Sequence, residues 1–329
     1  MGKDITISLK SLEKNLGQFH LGPVDLDIQD SLVILGPTGS GKTTLFEIIA
    51  GFIKPDKGKI FFENEDITEK KPEQRSIGLV YQDYQLFPHL DVYNNIAFGL
   101  KLRKLSQTDI EEKIQEIAET FNIKHLLKSN VRSLSGGEKQ KVALARSLVI
   151  EPKILLMDEP FSAIDEEGRG KLIEEFKSFR RNLSSLIILV THNQEEAYEL
   201  AEKVAIIYEG KIMAYGNKVE VFSKPQKLKI ARFLGFKNIF SSQELLSIGI
   251  QPPTNNEFFA LPNDKIHLGS KRSLMLKGKI EMYESLRNKI RMIINANGIK
   301  FEKEVNKDFS FTPSEINLGI DPTELIPLE

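Results

Sequence analysis

The sequence predicts an α/β fold with a parallel sheet, followed by a smaller domain rich in β-strands. Four short, nearly continuous apolar runs predict strands buried on both faces, which is typical of parallel sheets. A long helical stretch separates the second run from the third, and the sequence texture changes again after about residue 235. The four runs are SLVILG (31–36), SIGLVYQ (76–82), KILLMDEP (153–160) and SSLIILVTH (184–192).

Residues 84–150 predict a helical insertion between two of these buried strands. The segment that starts at Thr108, TDIEEKIQEIAETFNIKHLLK, repeats apolar residues at helical spacing. Thr108 and Glu111 fit a capping box at its N-terminus. We therefore predict a first domain over residues 1–235 that contains a helical subdomain at about 84–150.

Residues 236–329 predict a second, all-β domain. Its short alternating segments, KIEMY, KIRMIIN and IKFEKEV, are punctuated by Gly, Pro and Asn. Such a pattern indicates a small β-barrel. A chain of 329 residues is also long for a single core, which agrees with two domains.

The composition excludes several classes of function. The formal net charge is −1, so bulk charge argues against a nucleic-acid binder. The absence of cysteine excludes disulfides, thiolate zinc sites and cysteine nucleophiles. The N-terminus has no apolar signal core, and apolar runs such as LIILV are far shorter than a membrane span. If the protein works at a membrane, a partner must supply the membrane part.

The segment GPTGSGKTT (36–44) predicts a phosphate-binding loop. It matches G-x-x-x-x-G-K-[ST] and follows an apolar strand, as the mechanism requires. Its backbone N–H groups would wrap the phosphates, Lys42 would reach the β- and γ-phosphates, and Thr43 would offer a hydroxyl to Mg²⁺. On this motif alone a kinase or a GTPase stays open. The nucleotide-binding residues of this loop are Gly36, Pro37, Thr38, Gly39, Ser40, Gly41, Lys42, Thr43 and Thr44.

Polar residues at the ends of the other strands predict the catalytic and metal-binding groups. Asp158 ends a buried strand and would bind Mg²⁺. Glu159 follows it and could polarise the attacking water. His192 and Gln82 also end strands, at the edge where parallel sheets bind ligands. His192 could contact a γ-phosphate and hold Glu159 in line, and Gln82 could ligate Mg²⁺.

Together these segments resemble the ATP-binding cassette (ABC) family. The matching parts occur in the family's order over roughly residues 5–230, with LSGGEKQ (134–140) as the signature segment and SAID (162–165) as the D-loop. Ile164 stands where leucine is usual, a change that conserves volume. The resemblance implies a P-loop NTPase cassette with a mixed sheet, a helical subdomain and a C-terminal OB-like regulatory domain. Leu16 stands where relatives often have an aromatic residue, so Phe19 is the candidate for stacking on adenine.

The resemblance also implies a homodimer in which two cassettes close head to tail around two ATP molecules. The phosphate loop of one copy would face the signature segment of the other, and a helix N-terminus in trans would complete the charge stabilisation around the γ-phosphate. The residues expected to act in trans are Ser135, Gly136, Gly137, Glu138 and Asp165.

The segment VYQDYQLFPHLDVYNNIAFGL resembles the ATPases of bacterial and archaeal importers. In that group it helps to form a groove for a helix of the transmembrane subunit. Tyr84, Phe87 and Tyr93 are candidates for exposed aromatic contacts there, with packing inside the helical insertion as the alternative. The partners implied are two transmembrane permease subunits and an extracytoplasmic substrate-binding protein, with the ATPase peripheral on the cytoplasmic face of the membrane and no nucleic acid involved.

Within the importers the N-terminal part looks most like ATPases for molybdate or tungstate. Residues 269–280 partly match an oxyanion-binding element, although Ser273 occupies the place of its asparagine. A regulatory oxyanion and a purely structural, dimer-stabilising barrel therefore both stay open. The alternatives for the whole protein are a sulfate/thiosulfate, iron(III) or polyamine importer, a soluble ABC ATPase of translation or DNA repair, and an oxyanion-binding module with incidental ATPase activity.

Overall fold

The computed structural model describes residues 5–180, 183–269, 272–309 and 315–329. Contacts divide the chain into two compact units, an N-terminal unit, Met1–Lys218, and a C-terminal unit, Val219–Glu329. None of the helices in these described ranges is long and apolar enough to cross a bilayer.

The N-terminal unit contains two sheets within its described residues. Its strands in chain order are β1 (Ile7–Leu16), β2 (Phe19–Ile28), β3 (Leu32–Leu35), β4 (Lys57–Phe62), β5 (Glu65–Asp66), β6 (Ile77–Val80), β7 (Ile154–Asp158), β8 (Leu186–Thr191), β9 (Lys203–Tyr208) and β10 (Lys211–Asn217). One sheet is antiparallel with the order β2-β1-β4-β5. The other has the order β10-β9-β3-β8-β7-β6.

The second of these sheets is the core predicted from the four apolar runs. Strands β6, β7, β8, β3 and β9 pair in parallel, and β10 adds an antiparallel edge. Every residue of β3, β7 and β8 is buried. Because both faces of these strands are covered, their sequences are continuously apolar rather than alternating. The mixed sheet confirms the predicted fold class.

The N-terminal unit also contains six α-helices within its described residues. Three of them, at 92–102, 107–120 and 136–148, form the predicted helical insertion. The helices of the N-terminal unit are α1 (Lys42–Ala50), α2 (Val92–Leu102), α3 (Gln107–Thr120), α4 (Gly136–Leu148), α5 (Glu166–Arg180) and α6 (Gln194–Leu200). Helix α3 begins one residue after Ser106, whose hydroxyl accepts from the Asp109 N–H. The predicted capping box at Thr108 and Glu111 is therefore wrong, because Ser106 takes the N-cap position two residues earlier.

The C-terminal unit is built on antiparallel strands, as predicted. Its elements are α7 (Lys218–Ser223), α8 (Leu228–Phe233), β11 (Ile239–Ser241), α9 (Ser242–Ser247), β12 (Phe258–Ala260), β13 (His267–Leu268), β14 (Leu274–Ser285), β15 (Lys289–Ala296), β16 (Ile299–Asn306), β17 (Ile316–Ile320) and β18 (Ile326–Leu328). The strand orders are β11-β12-β18 and β13-β17-β14-β15-β16. Phe259, Met292 and Phe301 are fully buried in its core.

In the structure the boundary between the two compact units lies after Lys218, whereas the sequence predicts a domain boundary after residue 235. Helix α8 explains the difference, because it is bound to the C-terminal strands. Leu228 N–H donates to the Glu329 carbonyl at 3.0 Å, and Ala231 is buried against Ala260 and Leu328. The assignment of 1–235 and 236–329 as separate domains stays a prediction.

Candidate functional site

The phosphate loop connects β3 to α1, and its last glycine holds a conformation that other residues rarely adopt. Gly41 has φ 102° and is the N-cap of α1. A Cβ at this position would lie 2.7 Å from the Cζ atom of Phe19. Glycine is therefore required both by the left-handed backbone and by the aromatic ring beside it. The same contact brings Phe19 to the phosphate loop.

The ammonium of Lys42 is buried and folded back onto its own loop. It donates to the carbonyls of Gly36 and Pro37, each at 2.9 Å. Burial lowers the pKa of Lys42, while the nearby carboxylates of Glu159 and Asp158 act to raise it. The phosphate loop and the end of β7 thus place the Lys42 ammonium near the carboxylates of Asp158 and Glu159.

Asp158 is the buried acid of this site. Burial, and next the charge of Glu159, raise its pKa to about 6. The Thr43 hydroxyl donates to its carboxylate, but Oδ1 of Asp158 is buried without a hydrogen-bond partner among the described residues. A buried carboxylate oxygen without a hydrogen-bond partner calls for an explanation, and a metal ion that binds there is one. Together with the neighbouring threonine hydroxyl it offers the oxygen ligands that Mg²⁺ prefers.

Glu159 is held in a strained backbone conformation beside His192. Its φ is 45°, in the left-handed region. Its N–H donates to the Val190 carbonyl at 2.8 Å, and its own carbonyl accepts from the Ser162 hydroxyl at 2.9 Å. Nδ1 of His192 lies 2.8 Å from Oε1 of Glu159. Strain of this kind persists where the surroundings enforce it, and it concentrates at functional sites.

These residues line one cavity of about 460 Å³ at the carboxyl edge of the sheet. Of the residues predicted to bind nucleotide, Gly36, Pro37 and Ser40 do not line this cavity. The carbonyls of Gly36 and Pro37 accept hydrogen bonds from Lys42, and Ser40 is buried. Gln82 reaches the cavity from the end of β6. The lining residues are Phe19, Thr38, Gly39, Gly41, Lys42, Thr43, Thr44, Gln82, Asp158, Glu159 and His192.

The signature segment lines a different cavity, of about 370 Å³. Ser135, Gly136 and Gly137 meet the D-loop residue Asp165 there. None of the residues that line the nucleotide cavity lines this one. The structure thus brings the predicted site residues together in two groups.

The described residues give no structural reason for the two glycines that open α4. Neither has a positive φ. A Cβ on Gly137 would meet nothing within 4 Å, and one on Gly136 would be 3.5 Å from the Ala163 carbonyl, an ordinary contact. Glycine weakens a helix by about 1 kcal/mol relative to alanine. The missing side chains leave the first turn of α4 open to approach from outside.

Two of the residues expected to act in trans also cap helices in their own chain. The Glu138 carboxylate accepts from the backbone N–H of Ser135 and from its hydroxyl, both at 2.8 Å, and closes a capping box. These bonds, the backbone one first, lower the pKa of Glu138. Asp165 accepts from the Gly168 N–H at 2.8 Å in the first turn of α5.

The aromatic residues after Gln82 divide into buried and accessible ones. Tyr84 is buried, so its expected exposure is wrong and the packing alternative holds for it. Phe87 and Tyr93 are partly exposed. The Phe87 ring lies 4.5 Å from that of Phe98, which is 41% exposed. Phe87 and Phe98 therefore form the accessible aromatic pair of this region.

The predicted oxyanion element lies only partly in the described chain, since residues 270–271 are outside it. Arg272 lies beside His267, with 3.2 Å between Nη2 and Nδ1. The pKa of Asp321 is lowered chiefly by hydrogen bonds from the backbone N–H and the hydroxyl of Thr323, and to a smaller extent by Ser273. Oxyanion binding at this element stays a prediction.

Sequence reasoning missed a polar cluster behind His192. The Thr191 hydroxyl donates to buried Glu196 at 2.6 Å, and Nε of Arg169 lies 3.8 Å from the other oxygen of Glu196. Arg169 also donates to the Ile164 carbonyl of the D-loop at 3.1 Å. Burial raises the pKa of Glu196. The sequence THNQEE offered a capping pattern as its only signal, and nothing in it pointed to Arg169.

Comparisons with known proteins identify the family of this chain. The family model described as ABC transporter matches residues 22–162. A molybdate/tungstate import ATP-binding protein, WtpC, of Pyrococcus horikoshii is 45% identical over 248 residues, which are 74% of this chain and 72% of the relative. The WtpC of Methanocaldococcus jannaschii is 44% identical over 71% of this chain and 77% of its own length.

Solved structures show the same fold. The chain resembles cbiO1 of Clostridium perfringens, part of the ABC transporter complex cbiONQ, with a TM-score of 0.62 and 32% identity over 67% of this chain and 91% of that one. It also resembles MJ1267, an ATP-binding cassette of an ABC transporter in its ADP conformation. That match has a TM-score of 0.61 and 25% identity over 70% of this chain and 98% of the other.

Proposed function

This chain belongs to the ATP-binding subunits of ABC transporters, and from that premise we propose that it hydrolyses ATP to drive the import of molybdate or tungstate. The single observation that carries the ATPase is the cavity in which Lys42, Asp158 and the Glu159–His192 pair converge. The names of the WtpC relatives support the oxyanion.

The phosphate loop binds and orients the triphosphate. Its N–H groups and the N-terminus of α1 supply positive potential, and Lys42 exchanges its carbonyl partners for phosphate oxygens. Phe19 stacks on the base at the rim of the cavity. Thr43, Gln82 and Asp158 would hold Mg²⁺, which when bound neutralises charge on the β- and γ-phosphates.

Glu159 accepts a hydrogen bond from the attacking water and aligns it with the γ-phosphorus. His192 orients that carboxylate through Nδ1. The other ring nitrogen of His192, Nε2, would then contact the γ-phosphate.

A second copy of the chain completes the site. The open first turn of α4 supplies backbone N–H groups to the γ-phosphate bound by the other copy, with Ser135, Gly136 and Gly137 in contact and Glu138 and Asp165 at the edges. The accessible Phe87–Phe98 pair is the proposed contact with the permease. An extracytoplasmic binding protein delivers the oxyanion, and the ATPase lies on the cytoplasmic face.

The ATPase proposal is tested by Glu159→Gln. We expect the rate of phosphate release to fall by about 100-fold or more, because a positioned general base contributes about that factor. Binding of a fluorescent ATP analogue should be retained. Glu116→Gln on the exposed face of α3 is the matched control and should hydrolyse ATP at the parent rate. A parent rate in Glu159→Gln would contradict the assignment.

The substrate is tested with the chain reconstituted in proteoliposomes with the permease and binding protein of its own organism. We expect ATP-dependent uptake of labelled tungstate, competed by molybdate and not by sulfate or thiosulfate. Uptake should disappear with Glu159→Gln. Competition by sulfate, or uptake of iron(III) or polyamines instead, would overturn the oxyanion assignment and leave the ATPase assignment intact.

A further inference from the structure

The chain just after Gln82 is strained at two consecutive residues. Tyr84 has φ 61° and Gln85 has φ 44°, both in the left-handed region although neither is glycine. A single residue of this kind is uncommon, and two in a row require contacts that enforce them. Their backbone N–H groups form local hydrogen bonds: that of Tyr84 donates to the Tyr81 carbonyl and that of Gln85 to the Asp83 carbonyl.

Arg146 of α4 supplies the contacts that hold the two strained carbonyls. Its Nη1 donates to the Gln85 carbonyl at 2.7 Å, and its Nη2 donates to the Tyr84 carbonyl at 3.0 Å. The planar guanidinium reaches both carbonyls at once, which a lysine ammonium cannot reproduce in the same geometry. Charged donors make these hydrogen bonds stronger than those between neutral groups.

The same guanidinium also contacts the accessible aromatic pair. Its carbon lies 5.2 Å from the centre of the Phe87 ring, within cation–π range. The backbone of Phe87 is fixed to α2 by Asn95, which is buried and accepts from the Phe87 N–H at 2.8 Å. One side chain thus links the helix that carries the signature glycines, the strained segment after Gln82, and Phe87.

We propose that Arg146 is the positioning residue that holds Gln82 at the nucleotide cavity and links it to the Phe87–Phe98 surface. Without the two hydrogen bonds the left-handed residues relax, and Gln82, two residues before Tyr84, leaves its place. The inference rests on the proposed function, because it takes Gln82 as a ligand for Mg²⁺.

The first test is hydrogen exchange in the absence of nucleotide and Mg²⁺. Arg146→Lys should speed exchange of the Tyr84 and Gln85 amides about tenfold, the change expected when one charge-assisted hydrogen bond is lost. Arg103→Lys is the matched control, because Arg103 also donates to a backbone carbonyl, that of Ile150, at 2.6 Å but lies away from this segment. Equal exchange in all three proteins would overturn the proposal.

The second test measures the Mg²⁺ concentration that gives half-maximal ATPase activity. Arg146→Lys should raise it about tenfold, the lower end of the loss that follows when a residue supporting a metal ligand is removed. The affinity for a fluorescent ATP analogue in EDTA should not change. Adding Gln85→Gly should restore part of the loss, since glycine accepts the left-handed conformation without strain and the Gln85 side chain is exposed.

Gln82→Ala distinguishes the proposed role of Arg146 from the proposed role of Gln82 as a ligand for Mg²⁺. If Gln82→Ala raises the Mg²⁺ requirement and Arg146→Lys does not, the role of Arg146 is wrong while the ATPase stands. If Gln82→Ala changes nothing, the magnesium role of Gln82 is wrong.

If Arg146→Lys unfolds below the assay temperature, Phe87→Leu is used in its place. It removes the ring beneath the guanidinium and should speed exchange at Tyr84 and Gln85 about threefold, and no change would contradict the link to Phe87.

Discussion

Among single residues, Asp158 has the clearest electrostatic consequence for stability. Its pKa is raised to about 6 in the folded chain against an ordinary 3.8, by burial and by Glu159. The folded state therefore holds the proton more tightly than the unfolded state. The stability that follows is complete below about pH 4 and is lost as the pH rises through 6. Above pH 6 the nucleotide-free protein retains an ionised buried carboxylate for its function.

We expect Asp158→Asn to stabilise the nucleotide-free protein more at pH 8 than at pH 4.5. The gain at pH 8 should exceed the gain at pH 4.5 by about 2 kcal/mol, because the unfolded aspartate is already ionised over most of this range, whereas the folded one must ionise while buried as the pH rises through 6. The measurement is thermal unfolding in EDTA across this range. A gain that is the same at both pH values would contradict the raised pKa of Asp158.

How far the sequence predicts single residues depends on whether their chemistry is local. Lys42, Asp158, Glu159 and His192 were predictable because each ends a buried strand or follows a glycine loop, and such positions meet at one sheet edge. Arg146 was not. It lies within a helix, in sequence far from the segment it holds, and only tertiary packing reveals its partners.

Among the elements, α3 shows how a helix start depends on competition between neighbouring caps. Ser106 and Thr108 are both good N-cap residues, and each has a suitable acidic residue three positions later. The structure uses Ser106 with Asp109. This choice adds two residues to the helix, and it keeps Ile110, Ile114 and Ala118 buried on one face.

We expect Ser106→Ala to lower the melting temperature by about 2–4 °C, as for the loss of about 1 kcal/mol from a helix cap. Thr108→Ala, two residues inside the helix, is the matched control. It should cost almost nothing, because alanine has the higher helix propensity. Thermal unfolding of the two variants is the measurement. A larger decrease in melting temperature for Thr108→Ala would support the helix start predicted from sequence.

The strands were predictable where burial is two-sided, and the domain boundary was not. Apolar runs identify β3, β7 and β8 because every residue of these parallel strands is buried. The edge strand β6 is also found from its apolar run, although only alternate residues are fully buried. Helix α8, in contrast, has an ordinary helical sequence, and its membership in the C-terminal unit comes from its hydrogen bonds with the last residues of the chain. Such long-range pairing has no local signal in the sequence.

At the scale of the whole molecule, the two cavities raise the question of how many chains form one catalytic site. In a head-to-tail dimer, each site takes Glu159 from one chain and Gly137 from the other. If each chain were complete, both residues would serve the same site. The two arrangements differ when two defective chains are mixed.

We expect Gly137→Asp and Glu159→Gln to be inactive alone and active when mixed. Aspartate in the first turn suits the helix N-terminus and meets nothing within 4 Å of its Cβ, so the fold and ATP binding should be unaffected, but its charge repels the γ-phosphate of the other copy. A mixed dimer pairs the intact Glu159 of the first chain with the intact Gly137 of the second. Random assortment in an equal mixture should therefore restore about a quarter of the parent ATPase sites.

The control for this mixture combines both substitutions in one chain and mixes it with either single variant. Every site then lacks Glu159 or Gly137 wherever the chains pair, so no activity should return. Phosphate release from the two mixtures is the measurement. Activity that stays absent when the two single variants are mixed would mean that the α4 N-terminus serves its own chain, because only a site shared between copies can be rebuilt from two broken ones.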